Sequence, residues 1–593
     1  MNDKTIDIHV PVLARVEGEG ALELKITDQR IDELRLRIYE PPRFFEKFLE
    51  GRDYYDVPDV VARICGICPV AYQMSAVHAL ESVFDISVSP WTHAMRRVMY
   101  CGEWLQSHSL HIHMLAAPDY LGFNSVIEMS AEYADEVRRG LKLQSLGNDL
   151  IALFGGRSVH PVGVCTGGFH RAPDEAVIES ILARLREAVG DAEDLVAWTA
   201  SLDLPDEEQD FVSVCLRQAE EYPLIGRRIV SDRGLDIDIA EYEDHFSERQ
   251  VAHSTALHCL LEGRPYLLGP LARLNLNRDR LPPAVSAVME ATGIRFPSRN
   301  MFHSIVARAV EIHYAILEVI RLLEKTSAPE NSRVEFSPKA GLGFGCSEAP
   351  RGLLWHRYEL DPAGRVKTVR IVPPTSQNQA RIEEDLRCSL EHLGLDKEED
   401  VLRLHAEKVI RNYDPCISCA THFLDLKIEH QNREVPSARE DSGLPENTEL
   451  KVIGIGSPFG EDRLGWHVIE KLRREFATAD RPVSFLALDR PGPALIEHMK
   501  DARGIVLIDA LRNTGQPGRI QRLSPADIEG LESNRLSSHA IGIADTLKLA
   551  RALGIEARLM LIGMELPEQE QEAVDEKHID RLVEEVKQAL CDR

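Results

Sequence analysis

Two short stretches, RICGICP at residues 63–69 and DPCISCATH at residues 414–422, each hold a Cys-x-x-Cys pair beside a proline. In the first stretch, Pro69 can begin a helix, which places Cys65 and Cys68 in the turn ahead of it. A helix N-terminus lowers the pKa of a thiol and so favours the thiolate, the form that binds metals. Four thiolates with matched spacing form a soft-metal site, for zinc, an iron–sulfur cluster, or nickel with iron.

The distance between the two pairs along the chain argues against a structural zinc site but does not identify the metal. Zinc ribbons usually bring their pairs within about twenty residues of each other, whereas 348 residues separate Cys68 from Cys416. This separation favours a site clamped between the two ends of a large domain over a structural zinc site. Spacing alone therefore predicts metal binding and leaves the identity of the metal open.

Length and composition narrow the class of protein. The chain has 593 residues, and a single core seldom grows past roughly 250–300 residues, so we expect more than one domain. A formal net charge of −27 argues against nucleic acid or a membrane surface as a partner. We expect no membrane span and no secretory signal, because the sequence has neither a long apolar run nor a basic, apolar N-terminus. Eleven cysteines are too few for a disulfide scaffold, which favours a reducing cytoplasm.

The hydrophobic pattern changes along the chain. Residues 7–28 alternate in two short runs around Gly18 and Gly20, which predicts a hairpin. Helical periodicity then dominates residues 69–200, 300–325 and 376–411. We therefore expect residues 1–424 to form a mixed, mainly α domain with small β elements, followed by a polar linker at residues 425–448.

Residues 449–593 follow a different pattern. The runs LKVIGIGS, VSFLALD, GIVLIDAL and LMLIGMEL are typical of buried parallel strands, and WHVIEKLRREFA is typical of an intervening helix. This second domain is predicted to be an α/β doubly wound sheet.

The two cysteine motifs resemble the paired ligand motifs of nickel–iron hydrogenase large subunits. Further stretches resemble the same family in the same order, namely ARVEGEG (14–20), PPRFFEKFLEGRDYYD (41–56), GGRSVHP (155–161), EAPRG (348–352) and PPTSQNQ (373–379). The sequences PRFFE and PTSQNQ resemble those of the cytoplasmic, pyridine-nucleotide-linked branch of this family most. The resemblance implies the large-subunit fold for residues 1–424 and reversible oxidation of dihydrogen as the activity.

The resemblance also implies roles for single residues. All four cysteines would bind nickel, with Cys68 and Cys419 bridging to an iron that carries carbonyl and cyanide ligands, and with Cys65 and Cys416 terminal. A terminal thiolate keeps a free lone pair, so Cys416 is the candidate first base.

Three further side chains are assigned by the same resemblance. Glu17 would be the next proton carrier; the alternative is that Glu17 is a solvated hairpin carboxylate. Glu19 is the neighbour most easily confused with Glu17. Arg351 would supply a fixed positive charge beside the iron ligands. Asp414 would be its carboxylate partner, or else a turn-forming residue before Pro415.

The remaining predictions concern other possible metal ligands, the other cysteines and the partner proteins. Glu46 and His422 resemble the family's magnesium ligands. His108, His111 and His113 are predicted to be buried and hydrogen-bonded rather than ligands, and the seven singleton cysteines to be ordinary core or surface thiols. Because an iron–sulfur cluster needs about four cysteines and both pairs are used, electrons would leave through an iron–sulfur small subunit. Diaphorase-type NAD(P)-linked subunits and metal-insertion maturation proteins are the other expected partners.

The C-terminal domain resembles hydrogenase maturation endopeptidases, which remove a C-terminal peptide from the large subunit after nickel is loaded. The resemblance rests on VIGIGSPFGEDRLGWHVIE (452–470), LIDALRNTGQPG (507–518) and LSSHAIG (536–542). It assigns nickel recognition to Asp462, Asp509 and His539, a reasonable set for a borderline metal. Ser457 and Arg463 depart from the family pattern in the first loop. A glycine-rich nucleotide loop is the alternative, but the third glycine of that motif is missing.

The fusion predicts a pro-enzyme that carries its own processing enzyme. By resemblance, the cut would fall between His422 and Phe423. Three other readings compete with a fused hydrogenase and protease. They are a hydrogen sensor with little turnover, a metal-free scaffold like the hydrogenase-derived subunit of respiratory complex I, and a chain in which only the protease works.

Overall fold

The computed structural model describes residues 5–325, 329, 331–421, 450–456, 464–476, 483–489, 495–500, 502, 504–511, 519–524, 527–528, 546–547, 550, 558–565 and 576–591. The chain divides into two compact units, one of residues 1–126 and 142–425 and the other of residues 127–141 and 426–593. Within the described ranges, no helix has the length and apolar character needed to cross a membrane.

Helices hold more residues of the larger unit than strands do, and the second unit adds further helices. The described α-helices are α1 (Phe45–Leu49), α2 (Val57–Val61), α3 (Pro69–Phe84), α4 (Pro90–Leu110), α5 (Ala117–Leu121), α6 (Val126–Met129), α7 (Ala134–Gly155), α8 (Glu175–Ala200), α9 (Tyr242–His245), α10 (Pro270–Asn277), α11 (Pro283–Ala291), α12 (Ser304–Lys325), α13 (Pro374–Leu393), α14 (Glu399–Asn412), α15 (Leu464–Glu475), α16 (Leu495–Lys500) and α17 (Glu576–Cys591). A π-helix continues α4 over His111–Ala116, and short 3₁₀ helices lie at Ile239–Glu241, Arg278–Arg280, Met301–His303 and Ser418–Thr421.

The strands form several small sheets and one larger sheet. Their bounds are β1 (Thr5–Val10), β2 (Gly20–Thr27), β3 (Arg30–Ile38), β4 (Val164–Cys165), β5 (Gly168–Phe169), β6 (Val214–Leu216), β7 (Arg228–Ser231), β8 (Asp236–Asp238), β9 (Phe246–Arg249), β10 (His258–Leu261), β11 (Gly341–Ala349), β12 (Gly352–Leu360), β13 (Val366–Val372), β14 (Leu450–Gly456), β15 (Val483–Asp489), β16 (Gly504–Leu511), β17 (Ile520–Leu523) and β18 (Arg558–Glu565). The mixed, mainly α architecture predicted for the first part of the chain is confirmed.

The core of the larger unit is built on α12. Its predicted apolar stripe is confirmed, since Ile305, Ala309, Ile312 and Ile316 are fully buried, and α12 packs against α4 and α8. On the other side of the core, α3 lies directly against β11. At Gly345 an added Cβ would come within 1.9 Å of the carbonyl oxygen of Ser75, so only glycine permits this contact. These contacts hold the start of α3, and with it the first cysteine pair, in a rigid frame.

The N-terminal hairpin is confirmed and is part of a three-stranded antiparallel sheet in the order β1-β2-β3. Ile8, Leu22, Leu24 and Leu36 point into the core from this sheet. The segment between β1 and β2 carries the ARVEGEG motif, and Glu17 within it forms an isolated parallel bridge with Cys416. The sheet therefore presents this motif to the second cysteine pair.

The second unit holds the larger sheet. Its order is β15-β14-β16-β18-β17, with the first four strands parallel and β17 antiparallel at the edge. The predicted parallel strands are thus confirmed, whereas the sequence pattern missed β17. IQRL is short and follows a polar stretch, so it lacks the apolar run that marks a central strand. Helix α15 packs on β14 and on α17.

Candidate metal centre

The structure brings the two cysteine pairs together. One Sγ atom from each of Cys65, Cys68, Cys416 and Cys419 lies within 4.8 Å of the others, and all four residues are buried. The Sγ atoms of Cys65 and Cys416 are 3.4 Å apart, and those of Cys68 and Cys419 are 3.8 Å apart. Four buried thiols at this spacing can converge on a soft metal as thiolates.

The first pair is fixed by a helix. Cys68 directly precedes Pro69, the first residue of α3. The backbone N–H groups of Ile67 and Cys68 donate to the Sγ of Cys65 at 3.3 Å. In the first turn of α3, the N–H groups of Val70 and Ala71 donate to the buried Glu103 of α4 at 2.6 and 3.1 Å. The carboxylate thus caps the helix that carries the pair.

The second pair lies in irregular chain that several segments hold. The N–H of Cys416 donates to Thr375 Oγ1 at 3.1 Å, and the N–H of Ile417 donates to the carbonyl of Glu17 at 3.0 Å. Gly18 has a φ of +90°, and an added Cβ there would lie 2.7 Å from the Cβ of Ile417. Glycine is therefore required where the N-terminal hairpin approaches this loop.

Glu17 reaches the thiol of Cys416. The Sγ of Cys416 donates to Oε2 of Glu17 at 3.1 Å, and the N–H of Ser418 donates to the same oxygen at 3.1 Å. The Oγ of Ser418 then donates to Oε2 of Glu40 at 2.9 Å. The carboxylate of Glu17 is therefore fixed between the buried thiol and a polar segment that leads to the half-buried Glu40.

Arg351 and Asp414 form a buried ion pair beside the thiols. Arg351 donates from Nε to the carbonyl of Asp414 at 2.5 Å and from Nη2 to its Oδ1 at 2.9 Å. Burial alone would lower the pKa of the guanidinium, but Asp414 and the nearby cysteines raise it well above its ordinary value. Burial raises the pKa of Asp414, and Arg351 and Arg308 offset part of that rise. Asp414 is thus the partner of Arg351, as predicted.

The arrangement fits a nickel–iron centre. Besides the four thiols, Nη1 of Arg351 and Nε of Arg308 are buried and have no hydrogen-bond partner in the described part of the chain. A small cavity opens next to these two arginines. Buried donors without partners are costly, so a polar group in this cavity would satisfy them.

The other predicted residues of this region are distributed as follows. Oε1 of Glu46 accepts from the N–H of Ile371 at 2.7 Å, and burial raises the pKa of Glu46 to about 7. The other predicted magnesium ligand, His422, and the predicted cut at His422–Phe423 lie outside the described residues.

The predicted burial and hydrogen bonding of the histidine cluster are confirmed, and six of the seven singleton cysteines are described. His108, His111 and His113 are fully buried, and each has a hydrogen-bond partner, respectively Glu311, the carbonyl of Arg411 and the carbonyl of Ser109. Cys388 is exposed, and the buried singletons are Cys101, Cys165, Cys215, Cys259 and Cys346. The side chain of Cys591 is outside the described set.

In the second unit, one of the three predicted nickel-recognition residues is described. Asp509 is buried and lies near the carboxyl end of β16, one residue beyond the last β16 residue paired with β14. This is the edge where a doubly wound sheet places its ligand-binding residues. Asp462 and His539, like Ser457 and Arg463, lie outside the described residues.

Sequence reasoning missed four residues that hold the centre, namely Glu40, Arg43, Glu103 and Thr375. Arg43 donates to the carbonyls of Ile64 and Ser418, which join the two cysteine segments. Arg43 and Thr375 lie inside the PPRFFE and PPTSQNQ stretches, so their motifs were the available signal. Glu103 lies in an ordinary helical run that gives no signal.

Comparison with known proteins assigns both parts of the chain. The family model described as "Nickel-dependent hydrogenase" matches residues 43–142 and 261–422, and that of "Hydrogenase maturation protease" matches residues 466–592. Sulfhydrogenase 1 subunit alpha of Pyrococcus furiosus is 34% identical over 431 residues, which cover 72% of this chain and 100% of the relative. The NAD-reducing hydrogenase HoxS subunit beta of Cupriavidus necator is 28% identical over 466 residues, covering 70% of this chain and 94% of the relative.

The fold is also shared with a solved structure. The crystal structure of an NAD⁺-reducing [NiFe]-hydrogenase in the H2-reduced state aligns with a TM-score of 0.65 and 26% identity, over 71% of this chain and 100% of the other. The four converging cysteines lie within the residues that match the nickel-dependent hydrogenase family model. The chain therefore belongs to the nickel-dependent hydrogenase family, as a large subunit that carries a hydrogenase maturation protease domain in its C-terminal part.

Proposed function

We propose that residues 1–424 form the catalytic large subunit of a cytoplasmic nickel–iron hydrogenase that oxidises dihydrogen reversibly. We further propose that residues 425–448 link this domain to a protease domain at residues 449–593. The observation that carries the proposal is the convergence of Cys65, Cys68, Cys416 and Cys419 within 4.8 Å, with Glu17 in contact with one of them.

The four thiolates would hold the metals, with Cys68 and Cys419 shared between nickel and iron and with carbonyl and cyanide on the iron. When bound, such a centre supplies the site at which dihydrogen is cleaved into protons and electrons. The protein must then remove the protons. Cys416 would take the first proton on its Sγ and pass it to Oε2 of Glu17, which lies 3.1 Å away.

Arg351 would orient the small iron ligands. Its Nε and Nη2 are fixed by Asp414, which leaves Nη1 as a donor directed by a rigid fork. Because the guanidinium stays charged, it supplies a permanent positive charge in a site closed to water.

Glu46, together with His422, would hold a magnesium ion.

Electrons would pass to a separate iron–sulfur small subunit and then to diaphorase-type NAD(P)-linked subunits. The similarity to the beta subunit of an NAD-reducing hydrogenase supports this branch. Metal-insertion maturation proteins would load the centre before assembly.

The protease domain would complete the centre in cis. We propose that Asp462, Asp509 and His539 recognise the loaded nickel and that the cut falls between His422 and Phe423. A tether of about 26 residues gives an effective concentration on the millimolar scale, so the protease needs no diffusional search. Removal of the tail would let the Cys416–Cys419 end close over the metals.

Dihydrogen-dependent reduction of a soluble dye by the nickel-loaded complex tests the assignment. We expect Cys416→Ala to abolish dye reduction and hydrogen–deuterium exchange and to lower the nickel content. Cys388→Ala, which changes an exposed thiol, should leave all three unchanged. Dye reduction retained by Cys416→Ala would contradict the ligand assignment.

A further inference from the structure

A second group of metal-ligating side chains lies outside the cysteine centre. His253, His258 and Glu383 each offer one ligand atom, and these atoms lie within 4.8 Å of one another. Nε2 of His253 is 2.8 Å from Oε1 of Glu383, and Nδ1 of His258 is 3.9 Å from Oε2. The two imidazole rings are nearly perpendicular, with an interplanar angle of 83° and centroids 5.7 Å apart. Two imidazoles and a carboxylate thus converge from two segments of the chain.

His258 is the feature that an ordinary ion pair does not explain. The residue is 5% exposed, yet Nε2 has no partner among the described residues, and Nδ1 is too far from Glu383 for a hydrogen bond. The nitrogen that faces the cluster is Nδ1, so a metal bound there would give the buried imidazole a partner that Glu383 does not provide.

The surrounding structure fixes the three side chains. The N–H of Leu36 in β3 donates to Oε1 of Glu383 at 2.9 Å, which orients the carboxylate from outside the cluster. Thr255, between the two histidines, donates from its N–H to the carbonyl of Ile38 and from its hydroxyl to that of Glu40, both at 2.9 Å. The histidine loop is thus docked on the end of β3, and Glu383 faces it from α13.

We propose that His253, His258 and Glu383 form a zinc site that joins the β9–β10 hairpin, α13 and β3. Ligand bonds of about 2.0–2.1 Å at tetrahedral angles place donor atoms about 3.4 Å apart. The separations of 2.8 and 3.9 Å in the cluster bracket this value. The partly exposed side chains of His253 and Glu383 leave one side open to water, which would supply the fourth ligand.

Metal counting on the full-length chain tests the site independently of hydrogenase activity. The protein, produced with nickel and equilibrated with buffered zinc, is freed of loosely bound metal, and its zinc, nickel and iron are counted by mass spectrometry. We expect His253→Gln and Glu383→Gln each to lose one zinc per chain while nickel and iron stay unchanged. Glu383→Gln keeps an oxygen that can accept from Leu36, so the fold is preserved.

A matched control comes from a histidine–glutamate pair that lacks a second imidazole. Nδ1 of His245 lies 3.3 Å from Oε1 of Glu262, and His245→Gln should leave the zinc count unchanged. Zinc X-ray absorption should show nitrogen and oxygen neighbours in the wild type. Equal zinc in the wild type, His253→Gln and Glu383→Gln would overturn the proposal, as would a sulfur shell, which would assign the zinc to cysteines.

Zinc-dependent stabilisation is the second readout. Zinc should raise the apparent unfolding temperature of the wild type and not that of His253→Gln, since only the folded site binds the ion. His258→Phe distinguishes the site from a passive ion pair. It should remove the zinc response if His258 is a ligand, whereas a zinc response that persists in His258→Phe would contradict its role.

Discussion

The two cysteine pairs of the centre have the same spacing but very different supports. Cys65 and Cys68 precede a 16-residue helix whose first N–H groups are capped by Glu103. Cys416 and Cys419 lie in irregular chain and a short 3₁₀ helix, Ser418–Thr421, near the end of the larger unit. The first pair is thus held by regular secondary structure, and the second by side chains that reach it from distant parts of the sequence.

We propose that Cys65 and Cys68 form a preformed half of the site and that Cys416 and Cys419 form an assembled half. The contacts that hold the second pair come from Glu17, Arg43, Arg351 and Thr375, which are spread over most of the domain. A segment held in this way can be placed last, after the metals are loaded. The proposed cut after His422 falls three residues beyond Cys419, at the assembled half.

The largest expected effect concerns proton transfer at the assembled half. Glu17→Gln should lower hydrogen–deuterium exchange and dye reduction by about 10²–10⁴-fold, the usual contribution of a positioned proton carrier. Nickel content should stay unchanged, because the amide oxygen introduced by Glu17→Gln can still accept from the N–H of Ser418. Glu19→Gln, on the same hairpin, is the control and should retain activity. Comparable rates of exchange and dye reduction in Glu17→Gln and Glu19→Gln would show that Glu17 does not carry the proton.

The next effect tests the ion pair that holds the assembled half. Arg351→Met leaves Asp414 buried without its partner, which should cost about 3–5 kcal/mol in the free energy of unfolding and release nickel. Arg228→Met breaks the exposed pair with Asp236, which should have little effect because surface pairs contribute little. Urea unfolding and metal counting measure both variants. Similar losses in the two would mean that burial of the Arg351 pair is unimportant.

A pH titration tests two buried histidines at and just beyond the end of α4, the helix whose Glu103 caps α3. Burial lowers the pKa of His108 to about 4 and that of His111 well below its ordinary value. Between about pH 6.5 and 4 the unfolded chain therefore binds more protons than the folded chain. The stabilisation is present above pH 6.5 and is lost as the pH falls toward 4, by about 3 kcal/mol for His108. Urea unfolding at pH 7.5 and 5 should show this decrease, and a constant free energy would contradict it.

The smallest effect concerns one hydrogen bond. Thr375→Val removes the acceptor of the Cys416 N–H, at an expected cost of about 1–3 kcal/mol and with faster loss of nickel to a chelator. The neighbouring Ser376 is buried, and its hydroxyl has no partner in the described residues. Ser376→Ala should therefore leave nickel retention unchanged. Equal retention in both variants would show that this bond does not hold the second pair.

The same contrast explains what the sequence could predict. Periodicity gave the stripe of α12 and the parallel strands, because burial on one face repeats at a fixed interval. Motif resemblance gave the four cysteines, Glu17 and the Arg351–Asp414 pair. Neither signal reaches Glu103 or Glu40, because their roles depend on contacts between elements far apart in sequence. The zinc proposal has the same origin, since Glu383 lies 125 residues beyond His258.

The intact mass of the protein tests whether the chain's own protease completes the assembled half of the site, Cys416 and Cys419. The protein is purified anaerobically from a host with nickel–iron maturation machinery, grown with and without nickel. We expect fragments of about 47 and 19 kDa only with nickel, the shares of the 66.6 kDa chain held by its first 422 and last 171 residues. A single 66.6 kDa species in both cultures would contradict processing in cis.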